Sequence, residues 1–194
     1  MKYLIIYAHP NLKSFNHAIR EIIEDKLRND GRKFDVRDLY EIDFNPALSG
    51  SDFVSFKQGV APADIKGEQE YVKSADVLIF IYPIWWFGMP AILKGYIDRV
   101  FSYGFAYKAD EKGLHGLLSD KKIIIFNTTG GSQEDYELRG YKDALKKITE
   151  IGTLNVCGLK IILHKYFHAV TTVSHETRTE MLKDLKAVLL QAIS

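Results

Sequence analysis

Val77-Leu78-Ile79-Phe80-Ile81-Tyr82 is an unbroken apolar run, and Pro83-Ile84-Trp85-Trp86-Phe87-Gly88-Met89-Pro90 follows it directly. A strand with one wet face alternates polar and apolar residues, so a run without alternation predicts a strand covered on both faces. Pro90 stands where the first residue of a helix tolerates a missing N–H, and Ile92, Leu93, Tyr96, Ile97, Val100 and Phe101 then form one apolar stripe. The segment reads as buried strand, aromatic loop, helix.

The same unit recurs on either side. Upstream, the apolar start Met1 to Ala8 contains a buried strand at Tyr3-Leu4-Ile5-Ile6-Tyr7-Ala8. A helix from Asn16 follows, carrying Ala18, Ile19, Ile22, Ile23 and Leu27 at helical spacing and closing at Asp30-Gly31. Phe34 to Arg37 makes a second strand. Leu39 to Lys66 has no sustained period and reads as a long connection with at most short helices, and a short helix then ends near Ser74. Downstream come a strand at Ile123–Phe126, a helix from about Tyr141 to Asn155, a strand at Leu159–Leu163 and a closing helix marked by Met181, Leu182, Leu185, Val188 and Leu189. Five buried strands alternating with helices predict one α/β domain over residues 1–194: a doubly wound parallel sheet with helices on both faces, flavodoxin-like or a Rossmann half.

Bulk properties narrow the partners. With 26 basic and 25 acidic residues, the net charge of +1 gives no field that favours nucleic acid or an anionic membrane. The first apolar segment is too short for a transmembrane span and lacks a signal-peptide cleavage site. Cys157 is the single cysteine, so no internal disulfide forms, and a reducing, cytoplasmic setting is the expectation. His115, His164, His168 and His175 are too scattered for a metal set, and no metal is expected.

Ligands of such sheets gather beyond the carboxyl ends of the strands, which singles out three loops. His9-Pro10-Asn11-Leu12-Lys13-Ser14-Phe15-Asn16 leads into a helix N-terminus, an anion seat with side-chain donors at His9, Ser14 and Asn16. It has neither a dinucleotide glycine fingerprint nor a P-loop. The plainer reading is that Ser14 caps the helix and His9 ends a strand. Residues 83–90 place Trp85, Trp86 and Phe87 at a strand's carboxyl edge, where exposed apolar surface marks a ligand or partner, with core packing as the alternative. Asn127-Thr128-Thr129-Gly130-Gly131-Ser132 offers hydroxyls and backbone N–H groups to the rim of a flat heterocycle, or simply a tight turn. Together the loops suit a ligand that carries phosphate and a stacked ring, and an isoalloxazine fits.

These residues carry a resemblance. Ala8-His9-Pro10 with Ser14-Phe15-Asn16, Tyr82 through Gly95 continuing by Asp98-Arg99-Val100-Phe101 to Phe105-Ala106-Tyr107, and Thr128-Thr129-Gly130-Gly131 resemble the NAD(P)H:quinone oxidoreductase (DT-diaphorase-like) family over nearly the whole chain. The resemblance implies a non-covalent flavin, with phosphates at His9, Ser14, Phe15 and Asn16 and the ring held by Pro83, Ile84, Trp85, Trp86, Phe87, Thr128, Thr129, Gly130 and Gly131. FAD is favoured slightly over FMN, with Arg178 on the adenosine side. NAD(P)H would be the electron donor and a quinone or similar flat electrophile, azo dyes and nitroaromatics included, the acceptor, by ping-pong hydride transfer.

The resemblance also implies that Tyr136 stabilises charge at the flavin. The family's histidine six residues on falls here at Lys142, so proton relay does not carry over, although Lys142 still supplies charge. Trp86, Phe87, Gly130 and Tyr107 would line the substrate pocket, Tyr107 being contributed by the second subunit of a homodimer. The family's second tyrosine of that pair is Ala109 here. A flavodoxin-type electron carrier is the contrasting class, disfavoured by the loop and by the lack of acidic charge. An accessory flavoprotein on a potassium-efflux transporter is another.

Overall fold

A computed structural model describes residues 1–193. Five parallel strands form the main sheet: β1 (Lys2–Tyr7), β2 (Lys33–Asp38), β3 (Val77–Pro83), β6 (Lys122–Thr128) and β7 (Lys160–Phe167), in the order β2-β1-β3-β6-β7. Between β3 and β6 a two-stranded antiparallel ribbon, β4 (Tyr107–Asp110) and β5 (Gly113–Gly116), leaves the main sheet. The helices are α1 (Phe15–Asn29), α2 (Gly50–Lys57), α3 (Ala63–Ser74), α4 (Ala91–Val100), α5 (Gln133–Leu138), α6 (Tyr141–Lys146) and α7 (His175–Ala192).

The unalternating strands follow from two cores. Tyr3, Ile5, Tyr7, Ile79, Ile81, Ile124 and Phe126 point toward Ile19, Ile23 and Leu27 of α1 and Leu185 and Leu189 of α7. Leu4, Ile6, Leu78, Phe80, Tyr82, Ile123 and Ile125 point the other way, toward Ile65 and Val72 of α3, Leu93 and Tyr96 of α4 and Leu145 of α6. Every position of β1 from Tyr3 on and every position of β3 is therefore covered, and period-two polarity has no place to appear.

Several boundaries differ from the sequence reading. The third central strand runs one residue further, to Pro83, while the fourth reaches Thr128 and the last reaches Phe167, because ladder pairing there continues through polar residues such as Asn127, Thr128, His164 and Lys165 that hydropathy does not register. The helix expected over 141–155 is α-helical only to Lys146; Lys147–Asn155 is a π-helical stretch, in which the Thr153 hydroxyl donates to the Ile148 carbonyl. The β4–β5 ribbon and the short α5 are additions that the sequence reading lacked.

The long 39–62 connection is pinned onto α4 by Arg99. Its guanidinium donates to both Asp52 oxygens (3.0 and 3.1 Å), to Asp64 (2.6 Å) and to the Asn45 carbonyl (2.9 Å). Beside it, a Cβ on Gly95 would stand 2.2 Å from the Pro46 carbonyl oxygen, so only glycine lets the loop approach. No helix among the described residues is long and apolar enough to cross a membrane.

Candidate functional site

The chain turns back between β1 and β3: β2 lies on one side of β1 and every later strand on the other, which opens a crevice past their carboxyl ends. There lies a cavity of about 830 Å³, walled by His9, Ser14, Phe15, Asn16, Pro83, Ile84, Trp85, Trp86, Thr128, Thr129, Gly130 and Arg178 among others. Twelve of the residues expected at a cofactor thus converge on one space. Phe87, Gly131 and Tyr136 do not line it; they stand just behind, with Tyr136 centred 5.9 Å from the Phe87 ring.

The cavity floor is the start of α1. Ser14 caps the helix, its hydroxyl accepting from His17 N–H at 3.1 Å, so the plainer reading of this side chain holds beside its place in the wall. The first N–H groups of a helix have no intrahelical acceptor and point outward with the positive end of the dipole. Asn16 is buried and donates to Thr128 Oγ1 at 2.7 Å, tying α1 to the end of β6. Its Oδ1, also buried, has no protein partner. His9 Nδ1 accepts from Asn11 N–H at 3.0 Å, which leaves Nε2 as the protonated, donating nitrogen; burial holds this imidazole below its usual pKa, so it is a neutral donor.

The aromatic loop is built under strain. Trp85 N–H donates to Gly88 O (3.1 Å) and Gly88 N–H to Trp85 O (3.0 Å), closing a two-residue turn whose central residues, Trp86 and Phe87, have φ of 49° and 56°. Left-handed backbone is costly for bulky residues, roughly 1–2 kcal/mol each. Phe87 recovers part of this by packing on Tyr141 (4.1 Å between centroids), whereas Trp86 is 98% exposed. Core packing is therefore excluded for Trp86, and Trp85 is half exposed against His9. Trp86→Asn, which keeps a residue tolerant of this conformation and loses no packing, is expected to stabilise the ligand-free protein by about 1 kcal/mol. Urea denaturation checks this, and a destabilised variant would show that the turn is unstrained.

The third loop leaves β6 through Thr128. Thr129 Oγ1 donates to the Gly131 carbonyl at 2.8 Å and faces His168 Nδ1 at 3.1 Å. A Cβ on Gly131 would stand 3.1 Å from the Tyr136 ring, so close seating of that ring accounts for this glycine better than a tight turn. Tyr136 is buried, which raises its phenol pKa and keeps the O–H protonated. Lys142 is half exposed, 3.2 Å from Glu137 and away from the cavity wall.

Tyr107 is also elsewhere. It lines a second cavity of about 650 Å³ with Phe53, Phe56, Tyr103 and Leu114. Arg178 reaches the main cavity, but its Nη1 donates to the Val170 and Val173 carbonyls (3.3 and 2.7 Å), shaping the loop before α7. Asn11, Lys13, Thr171, His175 and Thr179 line the site and were missed. The Ser174 N-cap before α7 is the signal that could have drawn attention to the last two. Among the described residues no cluster of three or more His, Cys, Asp or Glu is arranged for a metal. Cys157 is buried, and burial pushes its thiol up to about 11.

An order of 2-1-3-4-5 for the central strands, counted along the chain, with an anion seat and an aromatic wall at the switch point, defines a protein of the flavodoxin-like class. The chain matches the family described as having a flavodoxin-like fold over residues 1–190 and belongs to it, within the NAD(P)H:quinone oxidoreductases. It is 38% identical over 184 residues to a Haemophilus influenzae protein named an uncharacterized NAD(P)H oxidoreductase, covering 94% of this chain and 91% of that one. It is 34% identical over 203 residues to NAD(P)H dehydrogenase [quinone] 1 of Cavia porcellus, covering 94% and 74%. The solved NAD(P)H:quinone oxidoreductase of Methanothermobacter marburgensis superposes with a TM-score of 0.87 at 31% identity, over 96% of each chain.

Proposed function

We propose that this protein is a flavin-dependent NAD(P)H:quinone oxidoreductase. The observation that carries the reading is the single cavity in which a strained turn displays Trp86 above the open N-terminus of α1. A flavin fits these residues. The unpartnered Asn16 Oδ1 is an acceptor suited to a ribityl hydroxyl, the first N–H groups of α1 with His9 Nε2 and the Ser14 hydroxyl suit a phosphate, and Pro83, Ile84, Trp85 and Trp86 give a ring its apolar support. When bound, the flavin supplies two-electron hydride exchange between a nicotinamide and a quinone-like acceptor.

The chain's own residues then do the rest. Thr128, Thr129 and Gly130, which line the cavity, would hold the polar edge of a bound ring, with Gly131 behind them. Tyr136, held as a protonated phenol behind the loop, stabilises negative charge from there. Lys142 contributes a diffuse positive field rather than a contact. Trp86 would form the wall of an open substrate stack, with Phe87 packed behind it on Tyr141.

The exposed apolar face around Tyr107, Tyr103, Phe53 and Leu114 supports a homodimer in which Tyr107 closes the partner's pocket. The cavity's continuation to Thr171, His175, Arg178, Thr179 and Leu182, past the phosphate seat, supports FAD over FMN, and a cytoplasmic location accords with both donor and acceptor. Chromatography of the released cofactor tests the choice, FMN alone being the contrary result. Reconstituted protein under anaerobic conditions should lose its visible absorbance on adding NADPH or NADH and regain it fully with a small benzoquinone. A bound flavin that neither nucleotide bleaches would overturn the enzyme reading.

A further inference from the structure

Between the sheet and the π-helical stretch Lys147–Asn155, a buried histidine faces two acceptors at once. His164 Nδ1 lies 2.8 Å from Glu150 Oε1, and its Nε2 lies 2.7 Å from Asn127 Oδ1. The amide of Asn127 is oriented by its other contacts: Nδ2 donates to the Tyr82 carbonyl (3.1 Å) and the Phe126 carbonyl (3.3 Å), so the atom facing His164 is the oxygen. The side chains of His164 and Glu150 are only 6% and 15% exposed, so these two contacts are made between protein atoms.

Counting protons gives the state of the pair. Two contacts to oxygen need two protons, and a neutral imidazole has one. With a neutral ring and an ionised Glu150, one contact would set lone pair against lone pair. One further proton satisfies both, either on the ring, giving imidazolium and carboxylate, or on Glu150, giving two neutral groups. Each arrangement has zero net charge, and the proton belongs to the pair. Burial, the largest influence, lowers the proton affinity of the imidazole taken singly, with Glu150 opposing and Lys146 of α6 adding to it. For the pair taken together burial acts the other way, because losing the shared proton leaves one uncompensated negative charge against the sheet. The other ionisable groups facing the pair are Tyr82 from β3 and Tyr166 from β7, both kept protonated by burial.

The pair joins separate elements near the site. Asn127 stitches β6 to β3 one residue before Thr128 and Pro83 enter the cavity wall, and His164 fastens Glu150 to that stitch. The winding serves this contact. Leu145, Thr149 and Leu154 are the buried positions, at intervals of four and five residues, wider than an α-helix gives, and Glu150 reaches the sheet beside Thr149. Farther along, Gly152, Thr153, Val156 and Cys157 wall the second cavity with Tyr107.

We propose that Glu150 and His164 hold one proton in common and with it form a pH-operated latch, which fastens the π-helical wall of the second cavity at neutral and lower pH and releases it as pH rises. The sign follows from the proton count. Above the ordinary histidine value of about 6.5, an opened segment holds neutral His164 and ionised Glu150, one proton fewer than the closed one. Opening therefore becomes easier by up to about tenfold per pH unit, until the closed pair has itself lost the proton. The latch belongs to the folded chain and does not rest on the flavin reading.

The test is hydrogen exchange followed by mass spectrometry on the full chain as purified, between about pH 6 and about pH 9, with the intrinsic exchange rate divided out at each pH. Corrected protection of peptides covering 147–155 is expected to fall by up to about tenfold per unit above the ordinary histidine value in the native chain. Glu150→Gln supplies the contrast. Its amide donates to Nδ1 while the Nε2 proton still reaches Asn127, so both hydrogen bonds form without a shared proton, and the fall with pH should disappear. A flat native profile, or equal slopes in the two proteins, overturns the proposal. The native profile decides by itself if the variant does not fold.

Discussion

Ser14→Asp is expected to fold as stably as the native chain and to bind flavin about two to three orders of magnitude more weakly. Aspartate is as good a helix cap as serine, and a carboxylate at this end of α1 interacts favourably with the dipole. The same carboxylate would stand in the cavity wall beside the first N–H groups of α1, occupying the positive seat that the cofactor phosphate needs. Several kcal/mol of like-charge repulsion then falls on binding alone. Urea unfolding of the ligand-free protein and fluorescence titration with flavin separate the two effects. Unchanged affinity would place the phosphate away from α1. Ser14→Ala gives the contrast: a lost cap worth about 1 kcal/mol with a much smaller change in binding.

Arg99→Ala is expected to cost about 3–5 kcal/mol of folding stability. The side chains of Arg99 and Asp52 are 5% and 3% exposed, so removing the guanidinium leaves a carboxylate buried without its charge partner. Asp52 also accepts from Ser49 N–H at 2.9 Å, and the start of α2 loosens with it. Acid should reveal the same pair. The hydrogen bonds from Arg99, before any other cause, hold the Asp52 carboxyl below its ordinary value. Its contribution is thus complete above the unfolded value of about 3.9 and is lost as pH falls through the lower folded one. Urea unfolding at pH 7 and below pH 4 measures both. A variant within about 1 kcal/mol of native at neutral pH would show that the 39–62 segment is held by other contacts.

The central strands were legible because they are buried on both sides, which leaves an unmistakable apolar run. The Tyr107–Gly116 ribbon was not, since its mostly exposed strands bury no face and so leave no pattern. The π-helical turn at Lys147–Asn155 keeps helical composition and differs only in winding, which hydropathy does not register. In the site, loops that follow buried strands were found by their place in the topology. His164 was passed over as an isolated histidine because its relation to Glu150 and Asn127 exists only across the gaps from β7 to the π-helical stretch and to β6. Phe87, Gly131 and Tyr136 were identified as contacts, yet they form the layer behind the wall, a distinction of depth that motif position does not encode.

The turn at Trp86 and Phe87 bears on time as well as energy. Two reciprocal backbone bonds between Trp85 and Gly88 close it, so the chain's own hydrogen bonds hold the tryptophan displayed toward a flat molecule. A loop that had to order itself around each visitor would slow every encounter and surrender entropy each time. Here the unfavourable backbone is accepted once, as the chain folds, and then serves every later turnover. The surface pays in another way: an indole held open to water has no means of retracting, so the protein must keep it covered by ligand or by a second copy to stay dispersed at high concentration.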